Sequence, residues 1–271
     1  MKSRFIIAII LIGLSIGICD NAKASDSKTV TIVDMGKRSV TVPLNPKRIV
    51  CLSAGSLRLI CYLQATDRVV GVEDIEKSKS QSRTYILANP ELGKLPRIGP
   101  GGPGSINKEP DLEAVLNVKP EVIFICYMEP QKAEALQKKL GVPVVILTYG
   151  RFATFDDTVY DSIKVAGKIL DKEKRAVEVI DFIENMRRDL ALRTTGVRES
   201  QKPSVYVGAV GYKAAQGIES SYSGFCPMDW VGAKNVMNEI FNQPEHIFVD
   251  REKLLSLNPS IVFIDGGGFN V

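Results

Sequence analysis

The chain has 271 residues, 45% of them hydrophobic, and carries 35 Lys and Arg against 31 Asp and Glu for a net charge of +4. That is enough apolar material for two domains or one large one. No block of basic residues stands out, so nucleic acid is not expected as a partner.

Lys2 and Arg4 precede an apolar run from Phe5 to Ile18, and Ala22-Lys23-Ala24 supplies a cleavage site before Ser25. Residues 1–24 read as a secretory signal peptide; the run is short for a membrane span, which needs about 20 residues. Removing the leader takes away Lys2, Arg4, Lys23 and Asp20 and leaves a charge of +2. Cys19 invites a lipid anchor, but Ile18 stands where a small residue is expected. Release into the periplasm or another extracytoplasmic space is the favoured expectation. Cys51, Cys61, Cys126 and Cys226 contain no CxxC pair. They read as small buried hydrophobes, with a Cys51–Cys61 disulfide as the alternative in an oxidising compartment.

Thr29–Asp34 and Ser39–Pro43 alternate apolar and polar residues, as an edge hairpin does. Residues 46–52 are a buried strand, ending in Ser53-Ala54-Gly55-Ser56 before a helix near Leu57. Strands follow at Arg68–Val72, ending at Glu73-Asp74, and at Leu95–Ile98, running into the glycine-rich turn Gly99–Gly104; Ser78–Pro90 between them is polar and irregular. A helix starts near Pro110, which suits a first helical position. Glu121–Cys126 is a strand ending in Tyr127-Met128, Pro130–Leu140 a helix, Val142–Leu147 a strand leading to Tyr149-Gly150-Arg151, and Phe155–Leu170 a helix. Apolar strands alternating with helices predict a parallel sheet covered on both faces, and such sheets bind ligands at the carboxyl ends of their strands. The rim so defined carries Ser53, Gly55, Glu73, Gly101, Tyr127, Tyr149 and Arg151.

Asp171–Thr195 is predicted to be one amphipathic helix, with Ala176, Val179, Ile180, Ile183, Met186 and Leu190 on one face. Asp171 suits its N-cap and Gly196 its C-terminal stop. A rod of roughly 36 Å is long enough to hold two lobes apart; an ordinary surface helix of one domain is the plain alternative. The αβ pattern then resumes. Ser204–Gly208 is a strand ending in Ala209-Val210-Gly211-Tyr212, Glu219–Trp230 a loop, Glu252–Leu257 a helix and Ser260–Asp265 a strand, with Asn235–Phe241 unassigned.

Tyr212, Tyr222 and Trp230 join Tyr127 and Tyr149 as residues able to offer flat apolar surface to a chelate, and Arg151 as a partner for an anionic group. Trp230 also suits a core, and Arg151 a solvated turn. His246 is the single histidine, and Cys226 and Met228 are isolated soft donors, so no metal site is read. The glycine turn lacks the Gly-Lys-Ser/Thr of a phosphate loop. No nucleophile elbow or HExxH motif is present, and no histidine stands near a nucleophile, so an enzyme is not expected. Asp156-Asp157 is better explained as acidic residues in a helix's first turn.

Two passages match at an offset of 139 residues: 113–125 and 252–264, each helix, proline turn and buried strand, with Glu113/Glu252, Pro120/Pro259 and Phe124/Phe263 in register. A repeat on each side of a long helix implies two related lobes whose rims form a cleft. It also places Glu113 and Glu252 at matched outer positions, suited to a two-fold partner.

Residues 30–43, 46–52, 68–72, 111–124 and 252–263 together resemble the periplasmic solute-binding proteins of iron-complex ABC importers, binders of ferric siderophores, haem and corrinoids. The resemblance implies two Rossmann-like α/β lobes with parallel sheets joined by a single long helix: an N-terminal lobe over 25–170, the interlobe helix 171–195 and a C-terminal lobe over 196–271. It implies capture of a small-molecule metal complex, ferric or otherwise, between the lobes, with no cofactor beyond that ligand, and delivery by a monomer to an ABC-transporter permease. Glu113 and Glu252 match the family's permease-docking glutamates. The family continues past the strand matching Ile261–Asp265 and this sequence does not, so an incomplete second lobe is expected. The alternative function is an exported metal-handling or sensory interaction protein with the same fold and no transport role.

Overall fold

The computed structural model describes residues 28–78, 83–151, 153–212 and 215–268; the signal peptide expected over 1–24 lies outside them. β1 (Thr29–Val33) and β2 (Ser39–Pro43) form the expected antiparallel hairpin. Asp34 pins it to the main sheet: its carboxylate accepts from the Ile146 N–H at 3.1 Å and pairs with Arg38 at 2.7 Å.

β3 (Ile49–Leu52), helix α1 (Ser56–Tyr62), the short helices α2 (Asp74–Lys77) and α3 (Thr84–Leu87), α4 (Leu112–Asn117), β4 (Val122–Cys126), α5 (Pro130–Leu140), β5 (Val144–Leu147) and α6 (Thr158–Ile169) build the first lobe. Its sheet is parallel in the order β3-β4-β5. Successive side chains in these strands alternate between two cores. Ile49, Cys51, Val122, Phe124, Val145 and Leu147 face one; Val50, Leu52, Ile123, Ile125, Val144 and Ile146 face the other. A strand buried on both faces reads as unbroken apolar sequence for this reason. The strands expected at 68–72 and 95–98 are reduced to single parallel bridges, Val69 with Ile49 and Val72 with Arg97. Pro96 has no N–H to lend to a longer ladder.

Local capping corrects several expected boundaries. Asp111, not Pro110, opens α4, its side chain accepting from the Ala114 N–H at 3.1 Å. α6 starts at Thr158 rather than Phe155, because the Asp156 carboxylate takes the Thr158 N–H at 2.9 Å. The region read as irregular over 78–90 contains α3.

The long helix α7 spans Glu173–Thr194. Asp171 is not its N-cap: it sits at φ 55°, left-handed, and Lys172 takes the cap position without a side-chain bond. Ala176 and Val179 are buried and Ile180, Ile183 and Leu190 half-buried, whereas Met186 is 44% exposed. The apolar stripe is thus best covered over the first half of the helix.

The second lobe places β6 (Ser204–Gly208) between β8 (Lys234–Asn235) and β10 (Ile261–Ile264), all parallel, beside the antiparallel pair β7 (Ser220–Tyr222) and β9 (His246–Phe248). The segment 219–230, expected as a loop, contains β7 and α8 (Cys226–Trp230), and 235–241 contributes to β8 and a 3-10 turn. α9 (Arg251–Leu257) leads into β10. The core here is small: Tyr206, Val236, Met237, Ile247 and Val249. β10 is an outer strand whose four apolar side chains are 40–46% exposed.

All four described cysteines are free, so the Cys51–Cys61 disulfide is not formed; burial in the apolar core pushes the Cys51 thiol up. Among the described residues no helix is long and apolar enough to cross a membrane.

Candidate functional site

The first-lobe strands deliver their C-terminal residues to one rim. Ser53 follows β3 at φ 65°, and its N–H donates to Glu73 Oε1 at 3.1 Å. Glu73 is itself buried, and burial pushes its carboxyl up to about 7, against the lowering effect of the Ser53 bond. Gly101 sits at φ 67° against this carboxylate; a Cβ there would lie 2.5 Å from Glu73 Oε2. A cavity of about 30 Å³ lined by Ser53, Glu73, Gly99–Gly101 and Lys108 adjoins them, room for water but not for a chelate.

Tyr127 and Tyr149, which follow β4 and β5, meet edge to face with ring centroids 4.7 Å apart. The Tyr127 hydroxyl donates to the Gly150 carbonyl oxygen at 2.5 Å. Desolvation raises both phenols above their ordinary value. Tyr149 lies directly over Gly55, where a Cβ would come within 2.2 Å of its ring. The guanidinium of Arg58 stands 4.9 Å from the centre of the same ring. Sequence reading missed Arg58, because one arginine in a helical pattern carries no signal of what it faces.

Arg151 is exposed and bridges the lobes, its Nη1 donating to the Pro244 carbonyl oxygen at 3.4 Å; the Cys226 N–H donates to the Ala153 carbonyl oxygen at 2.8 Å beside it. On the second lobe Tyr212 is 40% exposed and stacks on His246 with centroids 4.1 Å apart. His246 Nε2 lies 2.8 Å from Ser220 Oγ. The Ser220 hydroxyl spends its one proton on the Val210 carbonyl oxygen, so it accepts from His246, which is therefore protonated on Nε2. Burial lowers the imidazole's affinity for a second proton.

Two expected aromatic platforms behave otherwise. Tyr222 is only 6% exposed, because β7 pairs with β9 and turns it inward. Trp230 sits against the interlobe helix, 5.1 Å from Phe155 and 5.5 Å from Arg187, a cation–aromatic cluster that joins α8 to α7. The structure thus brings Ser53, Glu73 and Gly101 together, groups Gly55, Tyr127 and Tyr149 beside them, and sets Arg151 between this rim and the second lobe. Among the described residues no group of three or more His, Cys, Asp or Glu side chains is placed to hold a metal ion.

Glu113 and Glu252 are both exposed, each second in its helix after an aspartate N-cap.

Comparison with known proteins agrees with this architecture. The chain is similar to the molybdate-binding protein MolA of Haemophilus influenzae, at 24% identity over 254 residues covering 86% of this chain and 68% of that protein. It is similar also to the petrobactin-binding protein YclQ of Bacillus subtilis, at 24% identity over 278 residues, 97% of this chain and 80% of that protein. Among solved structures, molybdate-bound MolA superposes with a TM-score of 0.68 at 21% identity, covering 89% of this chain and 79% of that one. A haem-binding protein, HmuT, gives 0.61 at 16%, covering 96% and 75%. Likeness at this level of identity speaks for the fold. These relatives are binding proteins and not enzymes, and residues 49–270 match the family profile described as periplasmic binding protein. The chain belongs to the periplasmic binding protein family.

Proposed function

We propose that this protein is the exported solute-binding component of an ABC importer, that it holds an iron complex of the siderophore, haem or corrinoid type between its two lobes, and that it hands this ligand to a membrane permease. The observation that carries the reading is the rim itself: Tyr127 and Tyr149 form a paired aromatic surface at the carboxyl ends of β4 and β5, and Arg151 reaches from it to the second lobe. An aromatic surface with a few fixed polar groups, at the ends of parallel strands and between lobes, suits a bulky chelate. Similarity to binders of petrobactin and haem supports an iron complex, and similarity to MolA makes molybdate the comparison ligand. Glu113 and Glu252 are the permease-facing residues in this reading, one per lobe at repeat-related positions.

The test is calorimetric titration of the purified protein with haem, a corrinoid, ferric siderophores and molybdate. Saturable binding of an iron complex or corrinoid at micromolar concentration or below is the expected result. Binding of molybdate alone would replace the iron reading with an oxyanion one. Binding of none of them would overturn ligand capture.

A further inference from the structure

Arg58 stands apart from the other described arginines. Every other described arginine donates to a carboxylate, amide, hydroxyl or carbonyl oxygen. Arg58 has no such acceptor among the described residues, and its Nε is shut off from solvent without a partner. The two buried carboxylates of this region are otherwise engaged. Glu73 accepts from the Ser53 N–H, and Glu76 accepts from the Tyr85 hydroxyl at 3.0 and 2.8 Å. What Arg58 does have is the face of Tyr149, over which its guanidinium lies, and a charge attraction to Glu76 that partly offsets the upward push of burial on that carboxyl.

A half-buried guanidinium with an unmet donor costs stability, and a cation–aromatic contact offsets only part of that cost. The Nη groups of Arg58 are neither sealed from solvent nor bonded among the described residues, so an acceptor brought from outside can reach them. Arginine's planar fork suits a cluster of anionic oxygens. We infer that Arg58, laid on the Tyr149 ring, is the anion-binding residue of the ligand site, and that the ligand is an oxygen-rich anion, an anionic metal complex or an oxyanion, rather than a neutral or cationic complex. This rests on the solute-binding function proposed above and narrows its ligand class.

The experiment titrates the purified protein and its Arg58→Gln and Arg58→Lys variants with three probes: a trianionic ferric tricatecholate, sodium molybdate and a neutral ferric trihydroxamate. The protein is expected to prefer an anionic probe; which of the two it takes separates chelate from oxyanion. Arg58→Gln should weaken that probe about ten- to hundredfold, as loss of a charge-assisted hydrogen bond does. Arg58→Lys, which keeps the charge but not the fork, should recover part of the loss. The melting temperature of Arg58→Gln should change little, since removal of the unmet buried Nε donor offsets the lost attraction to Tyr149 and Glu76. A purely structural arginine gives the opposite pattern, lower melting and unchanged affinity, and that result would overturn the inference. So would a preference for the neutral complex, while leaving solute capture intact. Binding of no probe overturns the inference, and solute capture falls with it only if haem and the corrinoid fail as well.

Discussion

Asp111 and Asp250 do the same work 139 residues apart: each caps a short helix by accepting the backbone N–H three residues on, from Ala114 at 3.1 Å and from Lys253 at 2.7 Å. The correspondence runs on through the unit. Lys119 and Asn258 both leave their helix at positive φ, 46° and 43°, and the strands that follow, from Val122 and Ile261, start at the same offset. The repeat read from two passages of sequence is therefore repeated in backbone conformation. Replacing either aspartate with alanine should cost about 1 kcal/mol in urea unfolding, and the two losses should add, because the caps share no partner.

Phe124 and Phe263 are the second matched pair, and their surroundings differ. Phe124 is 0% exposed inside one of the two first-lobe cores and Phe263 is 44% exposed on the outer strand. Phe124→Ala is expected to cost about 3–5 kcal/mol, and Phe263→Ala about 1 kcal/mol or less. Equal losses in denaturant titrations would contradict the described burial.

Glu73 makes stability depend on pH with a defined sign. Its folded carboxyl titrates at about 7 against an ordinary value of 4.5, so the folded state holds the proton longer than the unfolded one. Stability is full below about pH 4.5 and falls as pH rises through 7, by up to roughly 3 kcal/mol. Glu73→Gln keeps an acceptor for the Ser53 N–H and should flatten this decline between pH 5 and pH 8. An unchanged slope in the variant would remove Glu73 as its source.

Gly55 tolerates no side chain. It sits at φ 89°, and a Cβ there would lie 2.2 Å from Tyr149 Cε1. Gly55→Ala should push the Tyr149 ring off the rim and weaken ligand binding at least tenfold, about 1.4 kcal/mol. Calorimetry with whichever ligand the parent protein binds would read the change.

Glu113 and Glu252 are both exposed and are the residues proposed to face the permease. Charge reversal of both, to lysine, should leave ligand affinity unchanged and reduce uptake by cells carrying the cognate permease. Normal uptake by the double variant would end that assignment.

Much of the first lobe was legible in the sequence because its chemistry is local. Helix α5 matches its expected bounds, since Pro130 opens it and Gly141, at φ 64°, closes it. The second lobe was less legible. β7 is written in Ser220-Ser221-Tyr222, which carries no alternating apolar signal; Ser220 is buried because its partner, the Val210 carbonyl oxygen, comes from elsewhere in the fold. Asp171 misled for a related reason: its side chain suits an N-cap, but the turn out of α6 holds it left-handed at φ 55°.

By itself the sequence determined the αβ alternation, the long helix, the 139-residue repeat and the strand ends that make the rim, all of which rest on periodicity and residue type along the chain. Only the tertiary structure decided which rim residues meet. It laid Tyr149 on Gly55 and Arg58, turned Tyr222 inward, set Trp230 against the interlobe helix and gave Glu73 its raised titration. Burial and partnership belong to the space between segments, and no local pattern of residues encodes them.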